Sequence, residues 1–164
     1  MQTFECIEKR ASVREYLSKK IDKEVLLALV DSGRRAPTAR ALEPWEFIIV
    51  TEPGTLLELG NICDHGSFIK NSAACIVVIC RDTKYFLEDG SAATMNILLA
   101  AADVGLGACW VAGDKKEYQN GVLKILNVTG EFKLVSLISL GWPKGEVLQN
   151  KKRGLKEVTH WEKF

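Results

Sequence analysis

The chain has 164 residues, enough to bury one core without metal or disulfide staples, so one domain spanning 1–164 is expected. Apolar residues at 47% and charged residues at 26% exclude a disordered chain. A formal net charge of +1 excludes an overall basic field, so nucleic acid is not an expected partner and an anion must be met by local clusters of Lys and Arg.

Five cysteines, Cys6, Cys63, Cys75, Cys80 and Cys109, are odd in number and contain no C-x-x-C pair, which reads as reduced, structural thiols. Glu5, Glu8, Lys9 and Arg10 stand where an export signal needs apolar residues, and with free thiols this points to the cytoplasm. The most apolar stretch, 92–113, is interrupted by Asn96, Asp103, Gly105 and Gly107, unlike the roughly 20 continuous apolar residues of a membrane span. No membrane segment is expected.

The elements read as mixed α and β. A short helix over 3–9 puts Phe4 and Ile7 on one face, and the segment 10–14 after it has no helical period. A second helix over 23–35 has Asp22 as N-cap, an Ile21–Leu26 staple and Val25, Leu29 and Val30 toward the core, with Pro37 stopping it. After Pro44, residues 45–51 are aromatic and β-branched and predict a strand; a short helix follows over 55–62. Residues 74–80 are apolar throughout, as a central strand buried on both faces would be. A long helix over 87–104 places Ala93, Ile97, Leu98, Ala101 and Ala102 on one side and ends at Gly105. Residues 108–111 predict a strand, Asp114 to Glu117 a capping box opening a helix to Leu126, and 133–140 a further strand. The tail, 146–164, lacks the apolar periodicity for a core of its own and is expected to pack on something else, such as a second subunit.

Three segments carry candidate chemistry. Arg10-x-Ser12-x-Arg14 sets two planar guanidinium forks around a hydroxyl, a donor set that matches phosphate oxygens; the same pattern also fits a solvated charged loop. The run from Ala36 to Trp45, bracketed by Pro37 and Pro44, is a stiff loop of small residues on which a flat ring could lie, or an ordinary helix-to-strand connection. Gly105 to Gly113 is not a dinucleotide fingerprint, because Trp110 replaces the third glycine and a helix precedes it, yet backbone N–H groups near Ala112 and Gly113 could donate to an electron-rich ring atom. His65 and His160 lie far apart without ligand spacing, so no metal site is expected. No hydrolase or kinase motif is present. Phe68, Phe86 and Tyr118 are candidate pocket walls.

In their order and spacing these segments resemble the nitroreductase family, and the likeness covers nearly the whole chain. That family's first helix leads into Arg-x-Ser-x-Arg, matched by Arg10, Ser12 and Arg14. Its second motif, roughly Ala-Pro-Ser-Ala-x-Asn-x-Gln-Pro-Trp, is matched by Ala36, Pro37, Thr38, Ala39, Pro44 and Trp45. The Ala-rich helix ending in Gly-Leu-Gly-x-Cys-Trp and the Gly-x-Pro turn before a basic tail are similar too.

The resemblance implies an α+β fold with a mixed central sheet flanked by helices, and an intertwined homodimer with two FMN at its interface. Arg10, Ala11, Ser12 and Arg14 would then hold the FMN phosphate, with Lys151 and Arg153 of the tail completing that site. Pro37, Thr38 and Ala39 would touch the flavin of the other subunit, and a backbone amide at Ala112 or Gly113 would face flavin N5. It further implies ping-pong chemistry: NADH or NADPH gives hydride to N5 and leaves, and a nitroaromatic, quinone or similar acceptor follows, with no side chain required as acid or base. Ala41 and Glu43 depart from the motif's Asn and Gln. They motivate a rival reading, a ligand-binding or regulatory dimer that binds flavin weakly. A second rival keeps fold and flavin but performs dehalogenation or flavin breakdown.

Overall fold

A computed structural model describes residues 2–164. Four strands, β1 (Trp45–Val50), β2 (Ala74–Arg81), β3 (Gly107–Ala112) and β4 (Phe132–Gly141), form one sheet in the order β1-β2-β4-β3. Every neighbouring pair is antiparallel, so the parallel part of the expected mixed sheet is confined to one bridge between Ser12 and Ala108. β2 is internal and buried on both faces, as its unbroken apolar run requires.

The two faces of the sheet carry separate apolar layers. Ile76, Val78 and Cys80 of β2 pack with α2 (Lys23–Arg34) and α4 (Phe86–Asp103), whereas Cys75, Val77 and Ile79 pack with α3 (Pro53–Ile62) and α5 (Gln119–Ile125). This is the period-2 alternation of a strand matched to helices on either side, the α+β arrangement expected. Small residues of α4, Gly90, Ala93 and Ala101, let the helix lie close to the sheet.

Several local details differ from the expectations. In α1 (Thr3–Lys9), Cys6 points inward and its thiol donates to the Leu99 carbonyl at 3.0 Å, while Phe4 and Ile7 are 81% and 46% exposed. Asp22 makes no side-chain cap; its carbonyl receives the Leu26 N–H at 3.2 Å, and Ile21 and Leu26 share one core layer as a staple should. On α2, Leu26, Leu29 and Gly33 are the buried positions, with Val25 and Val30 half-buried. α3 starts earlier than expected, because Glu52 caps it by accepting the Thr55 N–H at 2.6 Å and Pro53 suits its first turn.

The capping box at Asp114 to Glu117 does not form. Lys115 takes a left-handed φ of 58°, which breaks any helix there, and α5 begins at Gln119. The tail contains only the short α6 (Leu155–Val158), and its apolar residues Leu148, Leu155, Trp161 and Phe164 are exposed.

Candidate active site

The site is built on the open edge of β3. In antiparallel pairing, successive residues turn their backbone groups alternately toward and away from the partner strand. The Gly113 N–H donates to the Val135 carbonyl of β4 at 3.0 Å, which fixes the parity: Ala108, Trp110 and Ala112 face outward. The segment 12–13 takes the first of these positions, with the Val13 N–H donating to the Ala108 carbonyl at 3.0 Å. At the last, the Tyr118 hydroxyl caps the Ala112 carbonyl, and the Ala112 N–H on the same side faces the open edge. Of the two amides proposed for N5, Gly113 is therefore corrected: its N–H is spent inside the sheet. The Ala112 N–H is not spent on β4.

Arg10, Ala11, Ser12 and Arg14 come together where α1 runs onto this edge. Ser12 and Arg14 are exposed, and Arg10 and Ala11 are half-buried. Among the described residues neither guanidinium is paired with a carboxylate. Arg14 lies over the Phe68 ring, 5.7 Å from its centroid, a cation–π contact that steers the side chain along the edge. A cleft of about 350 Å³ adjoins the loop, lined by residues 11–15 and by the turn from Pro143 to Leu148. Burial raises the Cys109 thiol above its ordinary pKa, although Arg14, Ser12 and Arg10 each pull it down.

The loop carrying Pro37, Thr38 and Ala39 is held at the other end of α4. The Ala39 N–H donates to Asp89 Oδ1 at 2.8 Å, and the Glu43 N–H donates to Thr38 Oγ1 at 3.2 Å. Arg81 Nη2 donates to the carbonyls of Leu42 and Glu43 at 2.9 and 3.2 Å. Asp89 is only 4% exposed, and its Oδ2 has no partner among the described residues. Arg40, Ala41 and Glu43 all adopt left-handed φ, at 60°, 54° and 44°. Arg10 shares a cavity with Leu98 and Ala102, near the C-terminal end of α4. Asp89 to Leu98 spans nine residues, about 14 Å of helix, so the two segments are anchored at opposite ends of α4.

The tail begins against the arginine loop, where Gln149 donates to the carbonyls of Ile7 and Arg10 at 3.2 and 2.8 Å. Beyond it, Arg153 donates to the Glu157 carbonyl at 2.9 Å, and Lys151 is exposed. The five thiols are unbridged and buried, and burial pushes Cys63 up to about 11 and Cys80 up to about 12, so both stay protonated and inert at neutral pH. His65 is exposed. Among the described residues no cluster of His, Cys, Asp and Glu could hold a metal ion, and no helix is long and apolar enough to cross a membrane.

Three residues escaped the reading of the sequence. Tyr16 and Ser139 anchor the arginine loop from beneath, and Asp89 anchors the 37–43 loop. A visible signal existed for one of them: Asp89 is a lone acid on the inward face of an Ala-rich helix, whereas Ser139 shares its apolar strand with Ser136.

The fold and site together define an α+β protein whose arginine-bearing segment, residues 10–14, lies along an open strand edge. A family model described as "Putative TM nitroreductase" matches residues 2–164, and the chain belongs to the nitroreductase family. An Archaeoglobus fulgidus protein described as "Putative NADH dehydrogenase/NAD(P)H nitroreductase" is 32% identical over 153 residues, covering 88% of this chain and 87% of that one. The crystal structure of a Parabacteroides distasonis protein of the same description superposes with a TM-score of 0.92 at 32% identity, over 98% of both chains. An FMN-dependent nitroreductase from Clostridium difficile superposes with a TM-score of 0.89 at 27% identity, over 97% of this chain and 98% of that one.

Proposed function

We propose that the chain is an FMN-dependent oxidoreductase that passes electrons from NADH or NADPH to a small acceptor of the nitroaromatic or quinone class in ping-pong turnover. One observation carries the reading: an anion loop and an outward backbone donor lie on the same strand edge at a flavin's spacing. Ser12 bridges Ala108, and Ala112 lies four residues further, about 13 Å along extended backbone. That is the reach of a phosphate joined by a ribityl chain to an isoalloxazine ring. The similarity of the whole chain to an FMN-dependent nitroreductase supports the same assignment.

Arg10 and Arg14 neutralise the phosphate, and the hydroxyl and amides of residues 10–14 supply further donors. The Ala112 N–H donates toward N5, so the ring's reactive edge is set by backbone rather than by a mobile side chain. The chemistry the bound group would supply is hydride acceptance and return at N5, and no residue of the chain need move a proton in that step. Pro37, Thr38 and Ala39 serve the flavin of a partner copy, because their own chain holds them at the far end of α4. Lys151 and Arg153 complete a phosphate site once the tail, 146–164, packs on that copy; burial of Leu155, Trp161 and Phe164 supplies the driving force. The buried, unbridged thiols suit a cytoplasmic homodimer.

The test is an anaerobic absorbance spectrum of the purified protein with FMN, before and after NADH or NADPH. Flavin bands at protein stoichiometry that bleach with the nicotinamide are expected. Flavin that stays bound but unbleached favours dehalogenase or flavin-breakdown chemistry, and failure to retain FMN favours the ligand-binding dimer.

A further inference from the structure

Tyr16 lies just beyond the arginine loop and is nearly buried, 9% exposed, with no part in the contacts assigned to the flavin. Its hydroxyl donates to the Val13 carbonyl at 2.6 Å and lies 2.6 Å from Ser139 Oγ of β4. A carbonyl can only accept, so the single Tyr16 proton goes to Val13, and Ser139 must donate to the Tyr16 oxygen. The result is a directed chain, Ser139 to Tyr16 to Val13, in which each bond polarises the next. Burial drives the Tyr16 hydroxyl far above its ordinary pKa, which keeps that proton in place.

With the Val13 N–H donated to Ala108, both backbone polar groups of Val13 are fixed. Val13 lies between Ser12 and Arg14, so their side chains leave from a backbone that cannot rotate. The bed beneath is a cross-strand glycine pair, Gly107 opposite Gly141. A Cβ on Gly107 would come within 2.7 Å of Val13, and one on Gly141 within 2.6 Å of the Tyr16 ring. Backbone bonds on either side, Leu17 N–H to the Trp142 carbonyl at 2.8 Å and Lys144 N–H to the Glu15 carbonyl at 3.0 Å, close the seat.

We propose that Tyr16, backed by Ser139, is a positioning residue for phosphate recognition: it holds the Val13 peptide so that Ser12 and Arg14 meet the flavin's phosphate rather than its ring. The inference rests on the FMN reading above. Phosphate recognition separates from general flavin binding through riboflavin, which has the ring and ribityl chain but no phosphate.

The experiment titrates full-length apo-protein with FMN and with riboflavin, for the wild type, Tyr16→Phe and Ser139→Ala. Tyr16→Phe keeps the ring on Gly141 and deletes only the hydroxyl. FMN affinity should fall roughly three- to tenfold, the effect of one hydrogen bond, while riboflavin affinity holds. Ser139→Ala leaves the Tyr16–Val13 bond and should lower the FMN-to-riboflavin ratio in the same direction by less; should Tyr16→Phe fail to fold, this variant decides. An unchanged ratio, or equal weakening of both ligands, overturns the positioning role. A wild type that binds neither ligand overturns the flavin reading, and one that binds both equally overturns the arginine clamp.

Discussion

Residues 10–14 continue the sheet: Arg10 is extended, Val13 is bonded on both sides, and the loop rests on β3 and β4 without left-handed backbone. Residues 37–43 fold back on themselves, with Arg40, Ala41 and Glu43 left-handed and the turn pinned from outside by Asp89 and Arg81. A left-handed non-glycine residue costs on the order of 1–2 kcal/mol, so the second loop stores strain that the first does not. The difference teaches where precision comes from. The proposed anion site needs fixed donors, and sheet bonding fixes them in a relaxed backbone; the 37–43 loop instead is closed by side chains, Asp89 and Arg81 from outside and Thr38 from within.

The largest effect should come from removing the charge itself. Arg10→Ala with Arg14→Ala deletes two charge-assisted contacts of about 1.5–3 kcal/mol each, so FMN should dissociate at least about a hundredfold more readily. Because neither arginine is ion-paired among the described residues, the melting temperature of the apo-protein should stay within about 2 °C of the wild type. Unchanged FMN binding in a titration would falsify the clamp. Next in size is Gly141→Ala, which forces the Tyr16 ring off its seat. Overpacking of this kind costs roughly 1–3 kcal/mol, and thermal unfolding should begin several degrees lower, with FMN affinity falling alongside. A variant that melts like the wild type would show that the glycine pair is not a seat.

How far the molecule was legible in its sequence follows the same division. Period and composition located every strand and the long helices, because 45–51, 74–80 and 87–104 bury faces whose spacing is written in single residues. Arg10, Ser12 and Arg14 could be picked out as a donor set, since charge and spacing are local properties. What was not legible depends on register. That Gly113 spends its amide on Val135 while Ala112 keeps its own outward is decided by pairing parity with β4, more than twenty residues away in sequence. The Asp114–Glu117 box failed because Lys115 turns left-handed, a choice made by the β3 exit and by Tyr118 reaching back to Ala112. Tyr16 acts through Ser139 on a remote strand, so nothing in its neighbours announces it, whereas Asp89 stood out as an acid on an apolar helix face.

The strained loop offers two smaller tests. Asp89→Ala removes the acceptor of the Ala39 N–H but also a buried carboxylate whose Oδ2 has no partner among the described residues. The lost bond and the relieved burial largely offset, so global stability should move by no more than about 1 kcal/mol. Amide exchange at residues 39–43 should nevertheless accelerate while residues 12–17 keep their protection. Equal acceleration in both loops would mean that Asp89 supports the whole fold rather than one loop.

Ala41→Asn is the smallest change and the sharpest on the origin of the strain. Asn populates the left-handed region several-fold more than Ala, and it is the residue the family motif carries where this chain has Ala41. Ala41 is exposed, so the longer side chain meets no packed neighbour and only the backbone preference changes. Stability should rise by about 0.5–1 kcal/mol, read as a melting temperature higher by roughly 1–4 °C. The riboflavin titration adds a second reading: if the loop faces the flavin of a partner copy, the restored amide should tighten riboflavin and FMN by the same factor, because it acts on the ring and not on the phosphate. A stability gain with no change in either ligand would keep the strain and remove this loop from the flavin.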